Sequence, residues 1–157
     1  MCHWFIMSDE FNKNMMTQED KDLLLNDLCA RLPYGVMLSI THNKYTDETF
    51  NARISTIDYC GEIKVRYGFE EYEQIFSLEQ IKPYLFPLSS MTDEDHAIYS
   101  KIWEDTGKTA YLEGCHHLIC TIKAYKAAND YLLSKHYDIN GLIPKGLAND
   151  ATNKNIY

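Results

Sequence analysis

A chain of 157 residues, 45% apolar and 24% charged, is about one ordinary domain, long enough to bury a core without metals or disulfides and too apolar to be disordered. Its formal charge of −8, concentrated at Glu70, Glu71 and Glu73, at Asp93, Glu94 and Asp95, and at Glu104 and Asp105, repels phosphate backbones and disfavours a nucleic-acid partner. Five cysteines (Cys2, Cys29, Cys60, Cys115, Cys120) with no CxxC pair and no secretory signal predict reduced thiols and a cytoplasmic chain, and the apolar run Cys2 to Met7 is too short to cross a bilayer.

Residues 1–16 show no sustained period and predict a loose leader. A helix is expected from Thr17, which with Asp20 forms an N-cap pair ahead of Leu24, Leu28 and Leu32, until Pro33 stops it and Tyr34-Gly35 turns the chain. From Gly35 to Phe76 apolar residues recur at every second position, the period of strands. Val36, Leu38 and Ile40 mark the first strand, and His42 to Glu48 a loop. The second runs from about Phe50 to Tyr59, where a slip of parity between Ile54 and Ile57 requires a bulge near Ser55 and Thr56. Cys60-Gly61 is the expected turn into Ile63, Val65 and Tyr67, and Tyr72 to Phe76 follows as a fourth strand. Ser77 with Gln80 reads as a capping box on one helical turn.

The segment Lys82-Pro83-Tyr84-Leu85-Phe86-Pro87-Leu88-Ser89-Ser90-Met91 fits neither a helix interior nor a central strand and is expected as a stiff joint. Beyond it the period changes to three and four. Thr92 caps a helix holding the pairs Ile98 with Ile102 and Tyr99 with Trp103, with Gly107 as its expected C′ residue. A last helix from about Cys115 to Tyr137 carries Leu118, Ile122, Tyr125, Asn129, Leu132 and His136 on one stripe, the expected packing face. Leu142 to Ala148 forms an apolar element, and Asn149 to Tyr157 a polar tail. The expected division is therefore leader 1–16, helix and sheet 17–82, joint 83–91, helical lobe 92–148 and tail 149–157. The fold class is α+β: an N-terminal helix, a small curved antiparallel sheet of SH3-like or OB-like kind that closes into a barrel or stays a meander, then the helices.

Three strings, Asp27-Leu28-Cys29-Ala30-Arg31-Leu32-Pro33-Tyr34-Gly35-Val36, Lys82-Pro83-Tyr84-Leu85 with Pro87-Leu88-Ser89-Ser90-Met91-Thr92, and Gly141-Leu142-Ile143-Pro144-Lys145-Gly146-Leu147-Ala148, stand in this order. Together they resemble a family of uncharacterised small proteins of gut bacterial and prophage genomes. The resemblance spans most of Thr17 to Ala148 and implies a mobile-element setting, with no activity to carry over. This chain departs from it in the residues before Met16 and in Phe86, where a basic residue is common.

The densest reactive set is Cys115-His116-His117 with Cys120. His116 and Cys120 lie one helical turn apart, a spacing for two ligands of one zinc ion, which only His42, His96 or Cys60 could complete. Paired zinc-ligand spacings are absent, and structural roles account for these residues better. A Cys115 nucleophile with a histidine base lacks a glycine-rich oxyanion turn and an orienting third residue. The acidic clusters suit helix ends and solvated faces, no phosphate loop is present, and Arg53, Lys64 and Arg66 read as the wet face of a sheet. No cofactor and no catalytic residue are expected. The leading expectation is a non-catalytic accessory or regulatory protein of a mobile element that binds a protein partner around Tyr84, Leu85 and Phe86. The alternatives are a counter-defence protein binding a small nucleotide signal, and a zinc or thiol enzyme centred on Cys115.

Overall fold

The structure, a computed structural model, describes residues 16–41, 48–58, 62–67, 72–112 and 117–157. The expected leader up to residue 15, most of the loop after Thr41, the Cys60-Gly61 turn, Glu70, Glu71, Cys115 and His116 lie outside these residues. Helix α1, Gln18–Arg31, begins as the sequence predicts: Thr17 Oγ1 accepts the Asp20 N–H (3.1 Å) and donates to the Asp20 carboxylate (2.8 Å). A 3-10 turn, Leu32–Tyr34, opens with Pro33 near its start and closes on Gly35, whose left-handed φ of +66° turns the chain into the sheet.

The strands are β1 (Met37–Thr41), β2 (Thr49–Ile57), β3 (Ile63–Tyr67), β4 (Tyr72–Phe76), β5 (Ile81–Leu85) and β6 (Asn149–Asp150), in the spatial order β4-β3-β2-β1-β5-β6. The expected bulge is present, since β2 pairs Ile54 with Val65 and then Thr56 with Lys64, so Ser55 is the extra residue that restores the alternation. Ser77 and Gln80 form the predicted capping box. Leu38, Ile40, Ala52, Ile54, Ile63, Val65, Phe76, Ile81 and Leu85 bury one face of the sheet, and Leu24 and Leu28 of α1 with Leu142, Leu147 and Ala148 complete the core. On the wet face Arg66 pairs with its cross-strand neighbour Glu73 at 3.0 Å.

Several expectations are corrected here. The sheet does not close, and it is mixed, because β5 pairs antiparallel with β1 and parallel with β6. The proline joint begins as strand β5. Pro83 is tolerated because its partner is Leu38 in a register where the β1 ladder bonds come from neighbouring residues. Its nitrogen faces the other side, where β6 meets only Tyr84 and Leu85. The polar tail is also pinned: Ala151 is buried, its N–H donates to the Leu85 carbonyl (2.8 Å), and the Tyr157 hydroxyl donates to the Tyr84 carbonyl (2.6 Å).

Beneath this lies a charge pair shut off from water. Arg31 in the last turn of α1 donates from Nε to Asp27 Oδ2 (2.6 Å) and from Nη2 to Asp27 Oδ1 (3.1 Å) and the Tyr137 carbonyl (2.7 Å). Asn140 Nδ2 donates to the same Asp27 oxygen (2.8 Å). Both charged side chains are fully buried. Arg31→Met strands the Asp27 carboxylate in the interior and is expected to cost about 3–5 kcal/mol in urea denaturation, while Asp27→Leu with Arg31→Met costs less than the single change because no lone charge remains.

Candidate functional site on the helical arm

Helices α2 (Asp93–Leu112) and α3 (His117–Ser134) pack against each other as an arm. Thr92 caps α2 as predicted, accepting the Asp95 N–H (3.1 Å) and donating to Asp95 Oδ2 (3.0 Å). The Asp95 carboxylate also receives the hydroxyls of Tyr131 (2.6 Å) and Tyr137 (2.8 Å) and, at 3.3 Å, the Lys135 ammonium. One side chain therefore ties the first turn of α2 to the end of α3. These bonds, the Tyr131 hydroxyl foremost, hold the Asp95 carboxyl well below the usual carboxylate range. Burial, reinforced by the Asp95 charge, pushes the Tyr131 phenol up to about 12.

The arm has a thin interior. Cys120, Ala124 and Ala128 form the buried side of α3 up to its last turn, where Leu132 and Leu133 are also buried, and a Cβ on Gly107 of α2 would come within 3.9 Å of Ala124 Cβ. Small residues here let two helices approach closely while burying little apolar area. Gly107 therefore lies inside α2, five residues before its end, and is not the C′ residue the sequence suggests. Among the described side chains of α2 none is fully buried; Tyr99, Ile102, Thr106 and Gly107 are half-buried on its inner side.

The larger apolar side chains point elsewhere. The stripe predicted to pack is real as a helical face, but its first half is largely exposed: Leu118 is 63% exposed, Ile122 57% and Tyr125 61%. Only Leu132, at its far end, is buried. Trp103, 36% exposed, meets Tyr125 edge to face with ring centroids 6.3 Å apart. Beside the stripe run three adjoining clefts. One of ≈ 390 Å³ lies among Tyr99, Ser100, Trp103, Glu104 and Tyr125. One of ≈ 280 Å³ is floored by Gly107, Thr121 and Ala124. One of ≈ 310 Å³ reaches from Tyr99 and Tyr125 to Ala30 and Leu133.

The stripe does not continue to His136. After Ser134 the chain takes a left-handed turn at His136 (φ +60°), with the His136 N–H on the Leu133 carbonyl (3.0 Å) and the Tyr137 N–H on the Leu132 carbonyl (3.0 Å). This is a Schellman C-cap with histidine where glycine is usual. The ring stacks on Tyr157 (4.1 Å, 12°), and burial, aided by Arg31 and Arg53, lowers its pKa to about 4.

The residues singled out from sequence serve the body of the fold. Leu85 is fully buried, Tyr84 is half-buried with its hydroxyl on Asn51 Oδ1 (3.1 Å), and Phe86 packs its ring near Tyr137 and Tyr157 while its backbone bridges Tyr137. Cys120 is buried on the inner side of α3, and among the described residues no three metal-ligating side chains cluster. Asp95 could be read in sequence only as a helix-dipole acid, since its tyrosine partners are 36 and 42 residues away. Among the described residues no helix is long and apolar enough to cross a membrane. The chain matches no protein-family model, no curated protein and no solved structure.

Gly107→Ala fits within ordinary contact distance of Ala124 and removes a glycine from a helix interior, so it is expected to stabilise the fold by up to about 1 kcal/mol in thermal or urea unfolding. His136 is neutral in the fold down to about pH 4, whereas the unfolded chain protonates it near the ordinary histidine value of 6.5. The unfolded state thus binds the extra proton, and stability falls as pH drops from 6.5 to 4. His136→Asn, which tolerates the left-handed conformation, is expected to flatten that part of the urea-unfolding profile. The Asp95 contribution is lost only lower, as pH falls below the ordinary aspartate value of 3.8.

Proposed function

We propose that this chain is a non-catalytic accessory or regulatory protein that binds another protein through the exposed face of the α2–α3 arm, and not through Tyr84, Leu85 and Phe86. One observation carries the reading: Ile122 and Tyr125 are exposed beside a groove, on a two-helix arm whose interior around Gly107 is built from small residues. Exposed apolar side chains occurring singly need no explanation, but apolar side chains on one helical face that are extended by Trp103 against Tyr125 form the kind of surface an interaction partner covers. The family resemblance adds a mobile-element setting to this proposal. A nucleotide signal is less well suited to the groove, because Glu104 lines two of its clefts and the Lys108 ammonium that lines one of them is paired with Glu104 at 3.4 Å.

A photoreactive phenylalanine in place of Ile122, expressed in cells, is expected to give a discrete cross-linked protein band on irradiation. The same residue in place of Ile75, 50% exposed on β4, is expected to give none. Equal labelling from both positions, or none from position 122, would remove the arm as a protein-binding surface.

A further inference from the structure

Strands β1 and β5 part after the pair Leu38 with Pro83, and a side chain takes the place of the next rung, between Met37 and Tyr84. The Tyr157 hydroxyl accepts the Met37 N–H (3.3 Å) and donates to the Tyr84 carbonyl (2.6 Å). Its ring lies flat on His136, with centroids 4.1 Å apart, and tilts against Phe86 at 5.9 Å. We propose that this slot is a binding site for a small planar aromatic anion of the hydroxyaryl carboxylate class, with Tyr157 as its resident stand-in. The site is separate from the exposed face of the arm and independent of the reading given to that face.

Tyr157 uses only part of what surrounds it. Arg31 is fully buried and its Nη1 has no acceptor among the described residues; His136 is 8% exposed and its Nδ1 likewise has no partner. Arg53, opposite Met37 in the β1–β2 ladder, makes no hydrogen bond or ion pair among the described residues. Burial holds the Tyr157 phenol up at about 12 against the pull of both guanidinium charges, which reach the His136 ring as well. Asp27 neutralises Arg31, so Arg53 leaves one positive charge for a ligand to balance. That sets the ligand as a monoanion. A flat ring keeps the stack on His136, a hydroxyl keeps the bridge between the strands, and a carboxylate takes the donors that Tyr157 leaves unused. The stand-in is also removable. Ala151 fixes the tail to β5, but residues 153–155 are exposed, and beyond Ala151 the hold is by side chains, Lys154 over the Tyr84 ring at 5.2 Å and Tyr157 itself, which is 45% exposed. The ring can therefore swing out with the core intact.

Tyr157→Ala in the full chain opens the slot, and calorimetric titration with 3-hydroxybenzoate and 4-hydroxybenzoate, with phenol and acetate as controls at matched ionic strength, tests the site. At least one hydroxybenzoate is expected to bind this variant with a Kd below about 1 mM, about tenfold or more tighter than phenol. The wild-type chain, in which Tyr157 competes, is expected to bind the same compound about tenfold or more weakly. Adding Arg53→Gln to Tyr157→Ala is expected to bring the hydroxybenzoate down to the level of phenol. Should Tyr157→Ala fail to fold, the wild-type chain serves: at about 50 mM the hydroxybenzoate is expected to raise Tm by about 2 °C, and phenol and acetate are expected not to. Failure of both hydroxybenzoates to bind, phenol binding as tightly as either, or an affinity indifferent to Arg53→Gln overturns the aromatic-anion site and leaves Tyr157 as an anchor for the tail.

Discussion

The buried pair between Arg31 and Asp27 constrains most of what surrounds it, because a guanidinium removed from water must find its acceptors inside the protein. Two come from its own helix and the third is the Tyr137 carbonyl, 106 residues further on, while Nη1 finds no acceptor among the described residues. Tyr137 is in turn committed three ways, its carbonyl to Arg31, its N–H to the Leu132 carbonyl and its hydroxyl to Asp95, while the flanking His136 carbonyl and Asp138 N–H bond the backbone of Phe86. The end of α1, the edge of the sheet and the base of the arm thereby meet around one residue. Asp138 extends the junction, since its two carboxylate oxygens accept the N–H groups of Leu142 and Ile143 (2.8 Å each) and hold the apolar clasp under the sheet.

The arm is built on a different balance. Ordering two helices costs conformational entropy at every residue, and burial of alanine and cysteine side chains offsets only a modest part of it. What remains is supplied in part at the base, where Asp95 gathers two phenols and an ammonium. Local stability should decline from the base towards the residues near Gly107. A surface with few internal obligations can adapt to a partner, and its position is still fixed by the Asp95 cluster and the His136 cap.

Local grammar was legible in the sequence. The Thr17 and Thr92 caps, the Pro33 stop, the Ser55 bulge and the Ser77–Gln80 box all depend on neighbours within a few residues, and each stands where the pattern predicts it. The misreadings share a cause: they turn on what lies opposite a residue. Pro83 looks foreign to a strand until its register shows that no donor is needed on the side where it is paired. Gly107 looks like a helix end until Ala124 is found against it. The stripe on α3 was recognised as apolar, but periodicity cannot say whether a partner lies in the same chain. His136 gave no signal, because a histidine rarely stands at the left-handed position of a cap.

Pro83 has an effect beyond its own strand. The outer margin of β5 lacks an N–H at that residue, and β6 covers only the two residues after it. An incoming extended segment would find an interrupted row of donors there, so accretion of strands, the route by which open sheets coalesce into fibrils, is blunted on that flank. A chain that must remain dispersed while exposing aromatic and aliphatic side chains gains from having its stickiness restricted to helices, where contacts are finite and reversible.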